Sequence, residues 1–352
     1  MKSLRIKLFS LLLMLTFLFL CVACKGGESE EDVQVVNVYN WGEYMDLELI
    51  DQFEEETGIK VIYSNFANNE DLYVKIKHSG ASYDLIFPSE YMLERMILED
   101  LVLPINMENV PNIKYIDKQY LNHIYDPEQK YSVPYFWGTL GIVYNTTLVD
   151  DPVDSWDILW NEKYAKNIIM QDSSRDSLAV ALSRRGFSLN SKDAEELKIA
   201  RDDLIEQYPL VYAYLGDQAR DIMKNGEAAM AVIFSGDAVD ICLYNEDLAY
   251  AIPKEGSNLW FDVMAIPANA KNKENAEAFI NFLLDPEVAA QNASWVGYSL
   301  PSTTARELLD DEYKNNPFAY PPEEVLNKLE VFNYPGDFVE VYDEMWQEVK
   351  SR

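Results

Sequence analysis

Short apolar runs alternate along this chain with stretches whose apolar residues return every three or four positions. "VQVVNVYN", ending at Asn40, reads as a strand. "MDLELIDQFEEETG" follows, with Leu47, Ile50 and Phe53 at helical spacing and Gly58 placed as a stop. "IKVIYSNF" predicts the next strand. "NEDLYVKIKHSG" predicts a weaker helix on Leu72, Val74 and Ile76, and "YDLIFP" a third strand closed by Pro88. This alternation predicts an α/β protein with a largely parallel sheet and helices on both faces. Ligands of such sheets sit beyond the carboxyl ends of the strands. Trp41 to Glu43 and Ser89 to Tyr91 each fall at such an end.

A second unit opens near Tyr131. "NIIMQ" reads as a strand, "RDSLAVALSRRG" as a helix stopped by Gly186, and "KDAEELKIARDDLIEQ" as another helix. "LVYAYL" and "EAAMAVIFSG" read as further strands. After "LWFDVMAIPANA" come two more helices, the second with Asp285 as its cap and Pro286 in its first turn. A length of 352 residues suits two domains.

The first 24 residues stand apart. Lys2, Arg5 and Lys7 give a positive start, and an apolar run follows that is short for a membrane span but right for a signal segment. It ends at Ala23 and Cys24, before the polar tether "KGGESEED". This resembles a bacterial lipoprotein signal, which implies a signal peptide over 1–23, lipidation of Cys24 and a tether over 24–32. Cys21 departs from the usual pattern, and an ordinary secretory signal is the alternative.

Composition narrows the function. The net charge is −31, from 60 acidic and 29 basic residues. Nucleic-acid binding needs a basic face, so it is excluded as a partner class. An acidic surface draws in cations, although it serves solubility equally well. His78 and His123 have no metal-ligating partner at helical spacing and read as surface or capping positions. No phosphate loop and no nucleophile elbow is present, so neither cofactor, metal nor catalysis is expected. Cys242, alone in the body of the chain, reads as a small buried hydrophobe.

What remains is aromatic residues beside carboxylates at strand ends. Trp41, Glu43 and Tyr44 form one group, and Ser89 and Tyr91 a second. Asp172, Ser173 and Asp176 follow a strand, as do Phe234 and Asp237. Glu43, Asp176 and Asp237 could equally serve the starts of helices. Asp262 interrupts the apolar run Leu259 to Ile266, with Trp260 on the same strand face. A buried carboxylate is costly unless paired, so a protein cation or a ligand cation must meet it. An indole and a charge on one face suit an organic cation. Linear polyamines combine ammonium groups, which want carboxylates and π faces, with methylenes, which want an apolar slot.

The stretches "YNWGEY", "YDLIFPSEY", "YSVPYFWGT", "LWFDVMAIPANAKNKENAEAFINFLLDPEVA" and "VGYSLPS" resemble the bacterial spermidine/putrescine-binding proteins of ABC transporters, from about Val35 to the end. The resemblance implies a two-lobed periplasmic-binding-protein fold, each lobe a mixed, mostly parallel sheet flanked by helices. Lobe 1 would hold 33–139 and 263–304, and lobe 2 would hold 140–262 and 305–352. It implies a monomeric extracytoplasmic receptor that takes putrescine or spermidine and delivers it to an ABC permease. The family's ligand trough falls on Trp41, Glu43, Tyr44, Ser89, Tyr91, Ser173, Asp176, Phe234, Trp260 and Asp262. Ser173 stands where the family has an acid, and Phe332 where it has a Gln. The loss of that acid shifts the expectation toward the diamine. The rivals are a receptor for a cationic amino acid or ferric ion on the same fold, and a glycosidase using Glu43 and Asp262.

Overall fold

The computed structural model describes residues 33–352. Residues 1–23, the tether 24–32 and Cys24 lie outside the described residues. The chain opens with strand β1 (Val35–Trp41), helix α1 (Glu48–Thr57), β2 (Lys60–Phe66), α2 (Asn69–His78), β3 (Leu85–Ile86), α3 (Glu90–Leu98) and β4 (Val102–Leu103). A long strand, β5 (Ser132–Asn145), leads to β6 (Ile168–Gln171), α4 (Ser174–Arg184), α5 (Ala194–Gln207) and β7 (Val211–Leu215). Then come α6 (Ala219–Lys224), β8 (Met230–Phe234), α7 (Ser235–Tyr244), β9 (Leu248–Ala251), β10 (Leu259–Pro267), α8 (Lys273–Leu283) and α9 (Pro286–Val296). Short turns of helix follow, and the last element is the helix Phe338–Lys350.

Local chemistry sets the boundaries. Gly58 takes the left-handed conformation (φ 73°) that ends α1. The Asn68 side chain accepts from the Asp71 N–H to start α2, and Asp193 does the same for α5. Asp285 caps α9 with Pro286 in its first turn, as its sequence predicts. In α1 the inward pair is Leu49 and Phe53, whereas Leu47 is exposed. The helix starts only at Glu48, so Leu47 precedes its first turn. In α2, Leu72, Tyr73 and Ile76 are buried and Val74 faces solvent.

The sheet order is β2-β1-β3-β10-β5-β8-β6-β7, with β4 on β10 and β9 on β5. The expectation of a largely parallel sheet needs correction. Pairs β1–β2, β1–β3, β6–β7 and β6–β8 are parallel, but β10 runs antiparallel to β3, β4 and β5, and β5 antiparallel to β8 and β9. Strand–helix alternation reports only on neighbours in sequence. β10 returns from the far end of the chain and enters between strands made much earlier. β5 pairs with β10 from Ser132 to Thr139, and with β8 from Leu140 to Tyr144. One strand thus serves both halves of the sheet.

Separate cores flank this central pair. Val36, Phe53, Phe279, Ile280 and Leu283 pack in one, and Ile142, Trp156, Met170, Leu182, Leu204 and Trp346 in another. A third, around Val143, Ile233 and Tyr250, relies on close approach at Gly141. A β-carbon there would lie 2.5 Å from Cζ of Tyr250 and 2.6 Å from the carbonyl oxygen of Ala251. Neither backbone nor a fully packed ring can yield cheaply. Gly141→Ala is expected to lower stability by about 1–3 kcal/mol, read as a shift in the urea unfolding midpoint with unchanged slope.

Candidate ligand-binding site

β10 carries two of the key side chains. Asp262 and Trp260 lie two residues apart and are 7 % and 8 % exposed. A register irregularity in the β10–β5 pairing falls between Asp262 and Val263; such bulges re-aim side chains. Both Asp262 oxygens accept from hydroxyls: Oδ2 from Tyr44 Oη at 2.7 Å and Oδ1 from Ser89 Oγ at 2.7 Å. No lysine or arginine contributes to its environment among the described residues. Burial pushes its carboxyl up to about 6, with the two hydroxyls pulling the other way. A buried carboxylate held only by neutral donors keeps most of its charge available to a guest.

The neighbours are rings. Trp260 meets Phe234 at 6.0 Å and Tyr298 at 5.1 Å, both nearly perpendicular. Tyr44 is buried and stands edge-on to Tyr298 at 5.6 Å. A β-carbon on Gly138 would fall 2.5 Å from Cζ2 of Trp260, so the indole rests on bare backbone. Trp41 donates its Nε1 hydrogen to the Phe87 carbonyl at 2.8 Å and tilts against Phe66 at 4.6 Å. It is thereby tied to the segment that leads from β3 to Ser89.

Asn69, unnoticed in the sequence, links the next residues. Buried at the start of α2, it donates to Ser89 Oγ at 3.0 Å and to Tyr91 Oη at 3.1 Å, and accepts from the Ser89 N–H. Tyr91 packs beside Phe332 and Ala179. Ser173 caps α4, accepting from the Asp176 N–H at 3.2 Å. Asp176, in the first turn, has its carboxyl raised by burial, and its charge is felt by Tyr91. Asp172 turns away to Lys350 at 2.6 Å. Arg175 stacks its guanidinium on Phe332 and Tyr342 and donates to Asn190.

Two further residues, Tyr298 and Glu90, come from the structure, which also brings in the sequence candidate Asp237. Tyr298 lies in the quoted "VGYSLPS" stretch but joins the ring cluster only through the fold. Its hydroxyl donates to Asp237 Oδ2 at 3.2 Å, and Asp237 also pairs with Arg220 at 3.1 Å. Burial raises the Asp237 carboxyl to about 6. Asp237 is thus a further carboxylate at the rings, already paired with Arg220, and it does not cap α7 with its side chain. Glu90 is buried beside Asp262, accepts from the Phe261 N–H at 2.9 Å and is raised by burial to about 8. A signal for Glu90 was available: it follows the quoted Ser89 directly.

Glu43 stands apart. It is exposed, sits in a left-handed backbone conformation (φ 49°) after β1 and does not cap α1, whose first turn carries Glu48 and Asp51. His123 is half-buried rather than fully at the surface. Its ring packs on Phe261 at 4.5 Å, and burial lowers its pKa.

Comparison with known proteins follows the same lines. The profile described as bacterial extracellular solute-binding protein matches residues 48–320. Over 322 residues the chain is 37 % identical to the spermidine/putrescine-binding periplasmic protein of Salmonella typhimurium, covering 91 % of this chain and 92 % of that protein. The crystal structure of the spermidine/putrescine ABC transporter substrate-binding protein PotD of Streptococcus pneumoniae, in complex with calcium and HEPES, superposes with a TM-score of 0.81 at 44 % identity, covering 90 % of this chain and 99 % of that one. The TpPotD lipoprotein of Treponema pallidum superposes with a TM-score of 0.84 at 27 % identity, covering 91 % of this chain and 100 % of its own.

Proposed function

The chain belongs to the bacterial extracellular solute-binding protein family, and from that premise we propose that it is an extracytoplasmic polyamine receptor serving an ABC importer. Its fold is that of the periplasmic binding proteins. The observation that carries the ligand class is Asp262: a buried carboxylate, held by two hydroxyls and no protein cation, set among Trp260, Phe234, Tyr44 and Tyr298. An ammonium group supplies the missing counter-charge, and the rings take the methylenes. Asp176 and Asp237 serve the ends, Ser89 and Tyr91 orient, and Trp41 and exposed Glu43 border the entrance. Ser173 acts through its cap on α4.

Residues 33–139 and 263–304 form one lobe, and 140–262 and 305–352 the other. The change of partner in β5 between Thr139 and Leu140 supports the first boundary; at the second, Leu259 to Asp262 pair with Phe136 to Thr139 of the first lobe, so the return crossing lies before this part of β10 rather than after Asp262. Ligand favours the closed arrangement by its contacts to both lobes, and the closed form is what the permease reads. Anchoring through a lipid on Cys24 is supported by the pattern around that residue and by the lipoprotein relative of Treponema pallidum. The receptor works as a monomer.

Titration calorimetry with putrescine, spermidine, lysine and ferric ion tests the ligand class. Saturable heat is expected with a polyamine alone. Binding of lysine or iron in its place would overturn the reading, as would turnover of a cell-wall saccharide. The amino-acid alternative needs an arginine for the α-carboxylate; Arg175 stacks on Phe332 and Tyr342 and donates to Asn190 through Nη2, but its Nε and Nη1 have no partner among the described residues, so the lysine titration decides for or against that alternative.

A further inference from the structure

Tyr298 lies on a residue with no side chain. A β-carbon built on Gly236 would fall 2.1 Å from Cδ1 of Tyr298, 2.3 Å from Cε1 and 2.7 Å from Cγ. Cγ lies on the χ2 axis, so turning the ring in place cannot relieve that overlap; the whole side chain must swing away about χ1. Gly236 does not serve the backbone here, because its φ lies outside the left-handed region that favours glycine. Nor does it serve the helix, since it sits in the first turns of α7, where alanine is the better helix former. Space for the ring is the remaining reason.

The contact joins parts of the chain with different cores. The α7 residues Ala238 and Ile241 pack with Val143 and Ile233, whereas Tyr298 packs against the core of Phe53 and Phe279. In the two-lobe arrangement proposed above, Gly236 belongs to one lobe and Tyr298 to the other. From that seat the ring reaches Trp260 and Tyr44 with its edges, and Asp237 with its hydroxyl.

We propose that Gly236 is a positioning residue for the cation site: its bare α-carbon is the seat on which Tyr298 docks when the lobes meet, and any side chain there holds the aromatic wall open. The inference rests on the polyamine-receptor reading and adds to it a residue that touches no ligand.

The test is a double-mutant cycle read by polyamine titration, with unfolding of the unliganded protein alongside. Gly236→Ala is expected to weaken putrescine or spermidine binding at least tenfold, while the unliganded melting temperature stays level or rises. Tyr298→Ala weakens binding by itself, and adding Gly236→Ala to it should cost less than a further twofold, because the obstructed ring is gone. Wild-type affinity in Gly236→Ala, or full additivity of the two losses, would overturn the proposal while leaving the receptor reading intact. Absence of polyamine binding by the wild-type protein would remove both.

Discussion

Asp262→Asn is expected to abolish most polyamine binding while leaving the empty protein at least as stable as wild type. The side chains are nearly isosteric, so packing is kept. What changes is the charge. Removing one partner of a buried, hydrogen-bonded charge pair costs about 2–5 kcal/mol, a loss of roughly thirtyfold to more than a thousandfold in affinity. The empty protein behaves in the opposite sense. The Asp262 carboxyl is raised by burial to about 6, so its ionised form is a burden on the fold at neutral pH. An amide carries no such burden, and one of its two polar atoms still accepts from Tyr44 or Ser89. Calorimetry and thermal unfolding of the same variant read the two effects separately. Unchanged affinity would remove Asp262 from the site. A large drop in melting temperature would mean that the carboxylate is structural.

Affinity should fall steeply on acidification below neutrality. Asp262 and Asp237 both titrate near 6 in the empty protein, and the ligand's ammonium groups remain charged throughout. Bound ammonium favours the ionised carboxylates, so binding is strongest above both values and weakens as pH falls through them. Between pH 7.5 and pH 5 one such carboxyl costs about tenfold, and two cost about a hundredfold. Glu90, raised to about 8, stays protonated across that range and adds nothing. For the unliganded fold the sign reverses. Both aspartates bind protons more tightly folded than unfolded, so these two groups make the empty protein more stable as pH drops from about 7 toward 4. Titrations at a series of pH values check the first trend, and Asp262→Asn should flatten it. A pH-independent affinity would show that neither acid meets the ligand.

Much of the scaffold was legible because its signals are local. Gly58 ends α1, Asp285 and Pro286 begin α9, and the strand runs fall where expected. Asp262 was legible for an equally physical reason: a carboxylate within an apolar run must find a partner. What stayed hidden depends on distant parts of the chain. The entry of β10 between β3 and β5 cannot be seen from neighbouring residues, and it adds antiparallel pairings to a sheet expected to be mostly parallel. Asn69 and Tyr298 join the site's surroundings only through the fold: Asn69 reaches Ser89 and Tyr91 from another helix, and Tyr298 reaches Tyr44 from a distant part of the chain. The exposed Leu47 and Val74 show the limit of spacing arguments, since a one-residue change in where a helix faces leaves the periodicity intact.

The late insertion of β10 also bears on how this molecule is made. The first half borrows β10, α8 and α9 from beyond residue 258, and buries Phe53 against Phe279 with them. As the polypeptide emerges from the ribosome, that half lacks its central strand until nearly three hundred residues have been synthesised. Pairings so distant in sequence are slow to form. For an extracytoplasmic protein, a fold completed so late favours passage across a membrane before the architecture closes.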